Sequence, residues 1–122
     1  MQRVTIVNRT RIDSKPLQAV IHNDFWGRLV GLMFREHLSP DGSIIIDQKS
    51  DSRIGSAIHM LFMNFQITAI WVNKHLEVTD VKIAKPWAFA YVPKKPSRYI
   101  IETYPELSNQ FQMGDQLEFI YE

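Results

Sequence analysis

The sequence predicts one mainly β domain, either a sandwich or a small barrel. Three observations lead there. Most segments alternate apolar and polar residues with period two, the signature of half-buried strands. Six prolines and five glycines cut the 122 residues into short pieces. Only one stretch carries helical spacing: Phe25, Leu29, Leu32 and Met33 fall at i, i+4, i+7 and i+8 and form one apolar stripe.

The elements follow in order. Val4 and Ile6 mark a first strand, closed by the polar run of residues 8–14. Leu17, Ala19 and Ile21 share one parity and mark a second. Asn23 or Asp24 can then cap a short helix near residues 24–34 by accepting a hydrogen bond from a free backbone N–H. Gly27 and Gly31 lie four apart within it, and each weakens a helix by ~1 kcal/mol against alanine, so the helix is either closely packed or marginal. Ser39-Pro40-Asp41-Gly42 is a turn, because proline fixes φ and glycine can take φ > 0. Ile44, Ile45 and Ile46 form a buried strand, and the polar residues 47–56 read as a loop. Residues 56–63 and 66–73 read as two strands joined at Asn64-Phe65. The first is apolar on both parities and is expected to be central.

Val72-Asn73-Lys74-His75-Leu76 reads as a hairpin turn. In residues 76–84 the alternation slips: Leu76 and Val78 take one parity, Val81 and Ile83 the other. A bulge near Thr79-Asp80 would restore it, because one inserted residue re-phases the faces. Residues 86–96 are bracketed by prolines. Residues 98–103 form a strand, 104–110 a loop or turn of helix, and Met113-Gly114-Asp115 a turn. Leu117, Phe119 and Tyr121 alternate in a last strand. The sum is about eight short strands and one short helix.

Composition bounds the function. Residues 1–122 are expected to form a single domain. With 45% apolar and 22% charged residues, a disordered tail, a collagen-like fibre and a coiled coil are excluded. A net charge of +1, from 14 basic and 13 acidic residues, argues against a bulk electrostatic grip on nucleic acid or anionic lipid unless the charges segregate on one face. There is no cysteine, so disulfides, thiolate zinc sites and cysteine nucleophiles are excluded. Residues 1–10 alternate rather than forming a solid apolar run, and no stretch approaches the ~20 apolar residues of a membrane span. The expectation is a cytoplasmic protein without a membrane span or cofactor. The G-x-S-x-G elbow, the P-loop, G-x-G-x-x-G and H-E-x-x-H are all absent.

Six blocks carry a resemblance. They are Gly31-Leu32-Met33-Phe34-Arg35, Ile58-His59-Met60-Leu61-Phe62-Met63, Ile70-Trp71-Val72-Asn73, Val81-Lys82-Ile83-Ala84-Lys85-Pro86-Trp87, Tyr99-Ile100-Ile101-Glu102 and Met113-Gly114-Asp115-Gln116-Leu117. In this order and spacing the chain resembles the prokaryotic family called domain of unknown function 192, also known as uncharacterised protein family 0127. The resemblance implies a β-rich fold, a compact antiparallel β-sandwich of jelly-roll type with little helix. It implies no activity and lends no catalytic residues. Members often carry an Ile-Asp pair after the Phe-Met segment. This chain has Gln66-Ile67-Thr68-Ala69-Ile70, so a role for that acid does not carry over.

Candidate chemistry rests on scattered side chains. Arg35 ends the expected helix; it is either a carboxylate or anion clamp or simply a cation favoured by the helix dipole. His59 interrupts an apolar run, as a general base or as a satisfied core histidine. A metal site of His59 with Met63 is not expected, because residues four apart on a strand stand ~13 Å apart. Asp80, Glu102 and Asp115 are acids near strands or turns, and two carboxylates divide acid and base work only if they converge. Trp87, Phe89 and Tyr91 share one parity between Pro86 and Pro93, rimmed by Lys94, Lys95 and Arg98. Proline cannot donate to a ladder, which places this segment at an edge or in a loop. Its aromatics either cap the core or form an exposed binding patch.

Two functions compete. The first is a non-catalytic ligand- or protein-binding or assembly module using residues 87–96 and the loop at 47–55. The second is a small hydrolase or a sugar- or metabolite-modifying enzyme that gathers Arg35, His59, Asp80 and Glu102 in a pocket. In either case the partner is an unidentified small ligand or protein. Two lysines and an arginine are too few to favour nucleic acid. A monomer and a homodimer paired through an edge strand are both compatible.

Overall fold

Among the described residues, seven strands form one hydrogen-bonded sheet that curls on itself. The computed structural model describes residues 2–22, 43–60, 63–88 and 90–122. In chain order the strands are β1 (Gln2–Asn8), β2 (Leu17–His22), β3 (Ile44–Ser52), β4 (Ile67–Val72), β5 (Val78–Ala84), β6 (Ser97–Thr103) and β7 (Leu117–Tyr121). A 3-10 helix, η1 (Pro105–Gln110), separates β6 from β7. The spatial order is β5-β4-β6-β3-β2-β1-β7. The protein is therefore mainly β, as expected, but it is a half-barrel rather than a closed sandwich.

The sheet is also not wholly antiparallel. Strands β2 and β3 run parallel, with Val20 opposite Ile44 and His22 opposite Ile46. Parallel neighbours need a crossover of a dozen or more residues, and residues 23–43 supply that length. The expected helix near residues 24–34, the turn at residues 39–42 and Arg35 lie outside the described residues.

The two edge strands touch at one end. The Leu117 N–H donates to the Leu76 carbonyl (2.8 Å), Val78 N–H to Asp115 (2.9 Å) and Gly114 N–H to Val78 (2.8 Å). Gly114 sits at φ +90, which a side chain would resist. Glu77 and Gln116 make an antiparallel bridge there, so β5 and β7 start side by side and then run apart.

Strand alternation builds two cores. Val4, Ile6, Ile45, Ile70, Ile101, Leu117 and Phe119 fill the concave side. Ile46, Ala69, Trp71 and Ile100 face outward and are covered by Ile58, Met60 and Met63. All six residues of β4 are buried, because it lies between β5 and β6 with cover on both faces.

Of the expected central strand at residues 56–63, the described residues 56–60 and 63 are not in a strand. They lie irregularly over the outer face, with one bridge between Ile58 and Tyr91. Apolar residues on both parities signal burial on all sides, which an irregular segment in a core also has. Nor are residues 47–56 all loop. Strand β3 continues through an irregularity to Ser52, opposite Ser97, where the Asp47 carboxylate takes Arg98 from β6. The expected bulge is present: Trp71 faces Asp80 while Val72 faces Val78, leaving Thr79 as the extra residue. The hairpin turn is present too. Asn73 Oδ1 accepts from the N–H groups of His75 and Glu77 (2.9 and 3.0 Å).

Candidate functional site

The proline-bracketed segment crosses the outer face as a strap. Its backbone pairs with residues 58–60. The Trp87 N–H donates to the Met60 carbonyl (2.8 Å), and Met60 N–H to Ala88 (2.9 Å). The Tyr91 N–H donates to Ile58 (2.8 Å), and Ile58 N–H to Tyr91 (3.0 Å). The far end is held by side chains. Lys82 Nζ donates to the Val92 carbonyl (2.8 Å) and Arg53 Nε to the Pro93 carbonyl (3.0 Å).

Trp87 and Tyr91 differ in exposure, and Trp87 leaves the extended backbone. Trp87 takes φ +65 and is 53% exposed. Tyr91 is half-buried against the outer core, and its hydroxyl accepts from the Lys85 N–H (3.0 Å). Phe89 lies outside the described residues.

Asp80 anchors the strap. It is buried, its Oδ1 accepts from the Val81 N–H (2.8 Å), and its Oδ2 from the Lys94 N–H (3.0 Å). Lys82 Nζ stands 3.5 Å from the same carboxylate. Glu102 is fully buried on the same face of the sheet, opposite Ile44 on β3 and Ala69 on β4. Strand β4 lies between the two acids. Two strand spacings and two residues of offset put their Cα atoms about 12 Å apart. His59 is half-buried between Ile58 and Met60. Asp80 and Glu102 thus share a face, with β4 between them. Among the described residues no three His, Asp or Glu side chains are grouped to hold a metal ion. Met113, 42% exposed, sits beside Gly114 at the closure of the two sheet edges.

Residues 6–119 match the family of domain of unknown function 192, described as "Uncharacterized ACR". The chain belongs to the DUF192 family. It is 34% identical to a UPF0127 protein of Pyrococcus furiosus, over 93% of this chain and 97% of that one. It is 32% identical to a UPF0127 protein of Pyrococcus horikoshii, again over 93% and 97%. A solved structure from Sinorhizobium meliloti, described provisionally as a transcription regulator, shares the fold with a TM-score of 0.78 at 18% identity, covering 97% of this chain and 92% of that one. A protein of unknown function from Novosphingobium aromaticivorans does so with a TM-score of 0.74 at 16% identity, covering 95% and 83%.

Two further polar clusters brace this DUF192 protein. Arg98 donates from Nε and Nη2 to the two oxygens of buried Asp47 (2.9 and 3.0 Å). Asp115 Oδ2 accepts from Asn8 Nδ2, Arg11 Nε and the Gln112 N–H, each at 2.9 Å. Asp115, a candidate acid by sequence, thereby ties the end of β1 to the turn before β7. The sequence reading missed Arg53 as a strap anchor. It also missed the Trp71 Nε1–H, which donates to the buried Ser56 carbonyl (2.7 Å) and holds down the covering segment. Neither residue has a sequence signal, because each partner is a backbone carbonyl brought close only by the fold. Among the described residues no helix is long and apolar enough to cross a membrane.

Proposed function

We propose that this DUF192 protein is a non-catalytic binding or assembly module that holds its partner on the strap of residues 87–96 and the adjoining loop. One observation carries the reading. Trp87 is half exposed and sits in the left-handed region, where a bulky residue is strained. Strained residues persist where surrounding structure over-determines them, and they cluster at functional sites. Here two backbone hydrogen bonds, between Trp87 and Met60 and between Met60 and Ala88, fix the position. The strap is anchored at both ends, so the Trp87 backbone is held in place and a partner need not order it on binding.

Native mass spectrometry of gently purified protein tests this. The parent should carry extra mass that is lost on denaturation, and Trp87→Gly should lose that mass while melting like the parent. Equal retention by a folded Trp87→Gly variant would overturn the reading.

A further inference from the structure

The near-neutral total conceals a one-sided charge pattern. From Val81 to Ile101 the chain holds Lys82, Lys85, Lys94, Lys95 and Arg98, and no Asp or Glu. Lys82 lies near Asp80, and Arg98 is paired with Asp47. Lys85, Lys94 and Lys95 are exposed, and exposed Arg53 joins them through its bond to Pro93. Among the described residues none of these four forms an ion pair. The Asp80 carboxylate beneath them is buried and already accepts two backbone N–H groups, so it offsets Lys82 and leaves the other four uncompensated.

Three large apolar residues near these cations are exposed. Trp87 is 53% exposed, Val92 36% and Ile54 85%. Lys82 bonds the Val92 carbonyl, and Arg53, next to Ile54 in the chain, bonds the Pro93 carbonyl. Trp87 lies at the other end of the strap, close to Lys85 in the chain.

We infer that the strap docks on an anionic lipid surface, with Trp87, Val92 and Ile54 entering the headgroup region and Arg53, Lys85, Lys94 and Lys95 facing the lipid phosphates. This rests on the binding-module reading above. An indole suits the boundary between water and hydrocarbon. Lysines attract anionic headgroups without needing fixed geometry. The other occupants fit less well. Single-stranded nucleic acid wants successive aromatic platforms, and Tyr91 is half-buried with its hydroxyl turned to Lys85. An added peptide strand wants free backbone groups, and the N–H groups of Trp87, Tyr91 and Lys94 are already used within the protein. Exposed apolar residues interspersed in the chain with point charges need only a surface.

Co-sedimentation of the full chain tests it. The vesicles are phosphatidylcholine, with and without phosphatidylglycerol. The protein should sediment with the anionic vesicles only, and salt should weaken the binding. Each cation removed should lower the partition constant about fivefold, so the Lys94→Gln, Lys95→Gln double variant should lose roughly 25-fold. Trp87→Gly should weaken binding to the same vesicles without altering charge. Melting curves check that both variants fold. No binding to anionic vesicles at low salt, or equal binding by the lysine variant, overturns the inference. Binding of a single-stranded oligonucleotide in place of vesicles overturns it in favour of nucleic acid. If vesicles fail but native mass spectrometry still shows a Trp87-dependent protein partner, the lipid falls and the binding module stands. If both fail, both readings fall.

Discussion

Tyr99 and Phe119 meet edge to face, ring centroids 5.2 Å apart at 78°, although β6 and β7 stand four places apart in the sheet. Two rings so placed touch only because the sheet curls until its concave residues face one another. Their contact therefore measures how well the interior is packed across. Phe119→Ala removes both the buried ring and the aromatic pair and should destabilise by about 3–5 kcal/mol. Urea unfolding should show a lower midpoint with an unchanged slope. A loss below about 1 kcal/mol would mean that the two walls are held by their ladders alone.

Asp47 and Arg98 make stability depend on acid. Burial alone would raise the Asp47 carboxyl. The Arg98 hydrogen bonds, the Lys49 N–H and the charges of both cations outweigh it and hold the group below its ordinary 3.8. Asp115 is held low in the same way, with burial overcome by the Asn8 amide, the Gln112 N–H and Arg11. A folded value below the unfolded one means that the folded protein takes up the proton less readily. The stabilisation is therefore complete above about pH 4 and is lost as pH falls through the folded values. Thermal melts from about pH 7 to about pH 2 should show this decline. Asp47→Asn should melt lower near neutrality and fall less steeply in acid. A parallel fall in variant and parent would remove Asp47 from the account.

Trp71 pins the covering segment to the sheet. It is fully buried, and its indole N–H reaches the Ser56 carbonyl at 2.7 Å. Trp71→Phe keeps most of the apolar bulk and strips a buried carbonyl of this donor, a loss of about 1–3 kcal/mol. Hydrogen exchange should quicken first at the amides of Ile58 and Met60, ahead of those in β4. Uniform quickening would show that segment and sheet unfold as one unit.

Much of the fold is legible in the sequence where burial is one-sided. Leu117, Phe119 and Tyr121 alternate, and a strand is there; the phase slip between Val78 and Val81 marks a bulge, and the bulge is there. Legibility stops where burial has no direction. Ile58, Met60 and Met63 look like a central strand, because periodicity cannot separate a covered strand from a covering segment. Asp47 looks like loop because its partner, Arg98, lies 51 residues away. The candidate site was legible as composition, aromatics and lysines between prolines. Its geometry was not, because the positive φ of Trp87 breaks the parity that the sequence suggests.

That same φ predicts a separation of stability from binding. A tryptophan held at φ +65 carries strain of about 1–2 kcal/mol that a glycine would not. Glycine in turn loosens the unfolded chain, an opposing effect of about 0.4–1 kcal/mol. Giving up the buried half of the indole costs about 1 kcal/mol more, so Trp87→Gly should unfold within about 1.5 kcal/mol of the parent. Ile58→Ala, on the segment that pairs with the strap and is 2% exposed, should lose about 2–5 kcal/mol. Denaturant melts of the two variants beside the parent decide it. If Trp87→Gly falls as far as Ile58→Ala, the indole is part of the core and its exposure marks no site. If it stays level while binding disappears, Trp87 is held in strain for what it touches outside the protein.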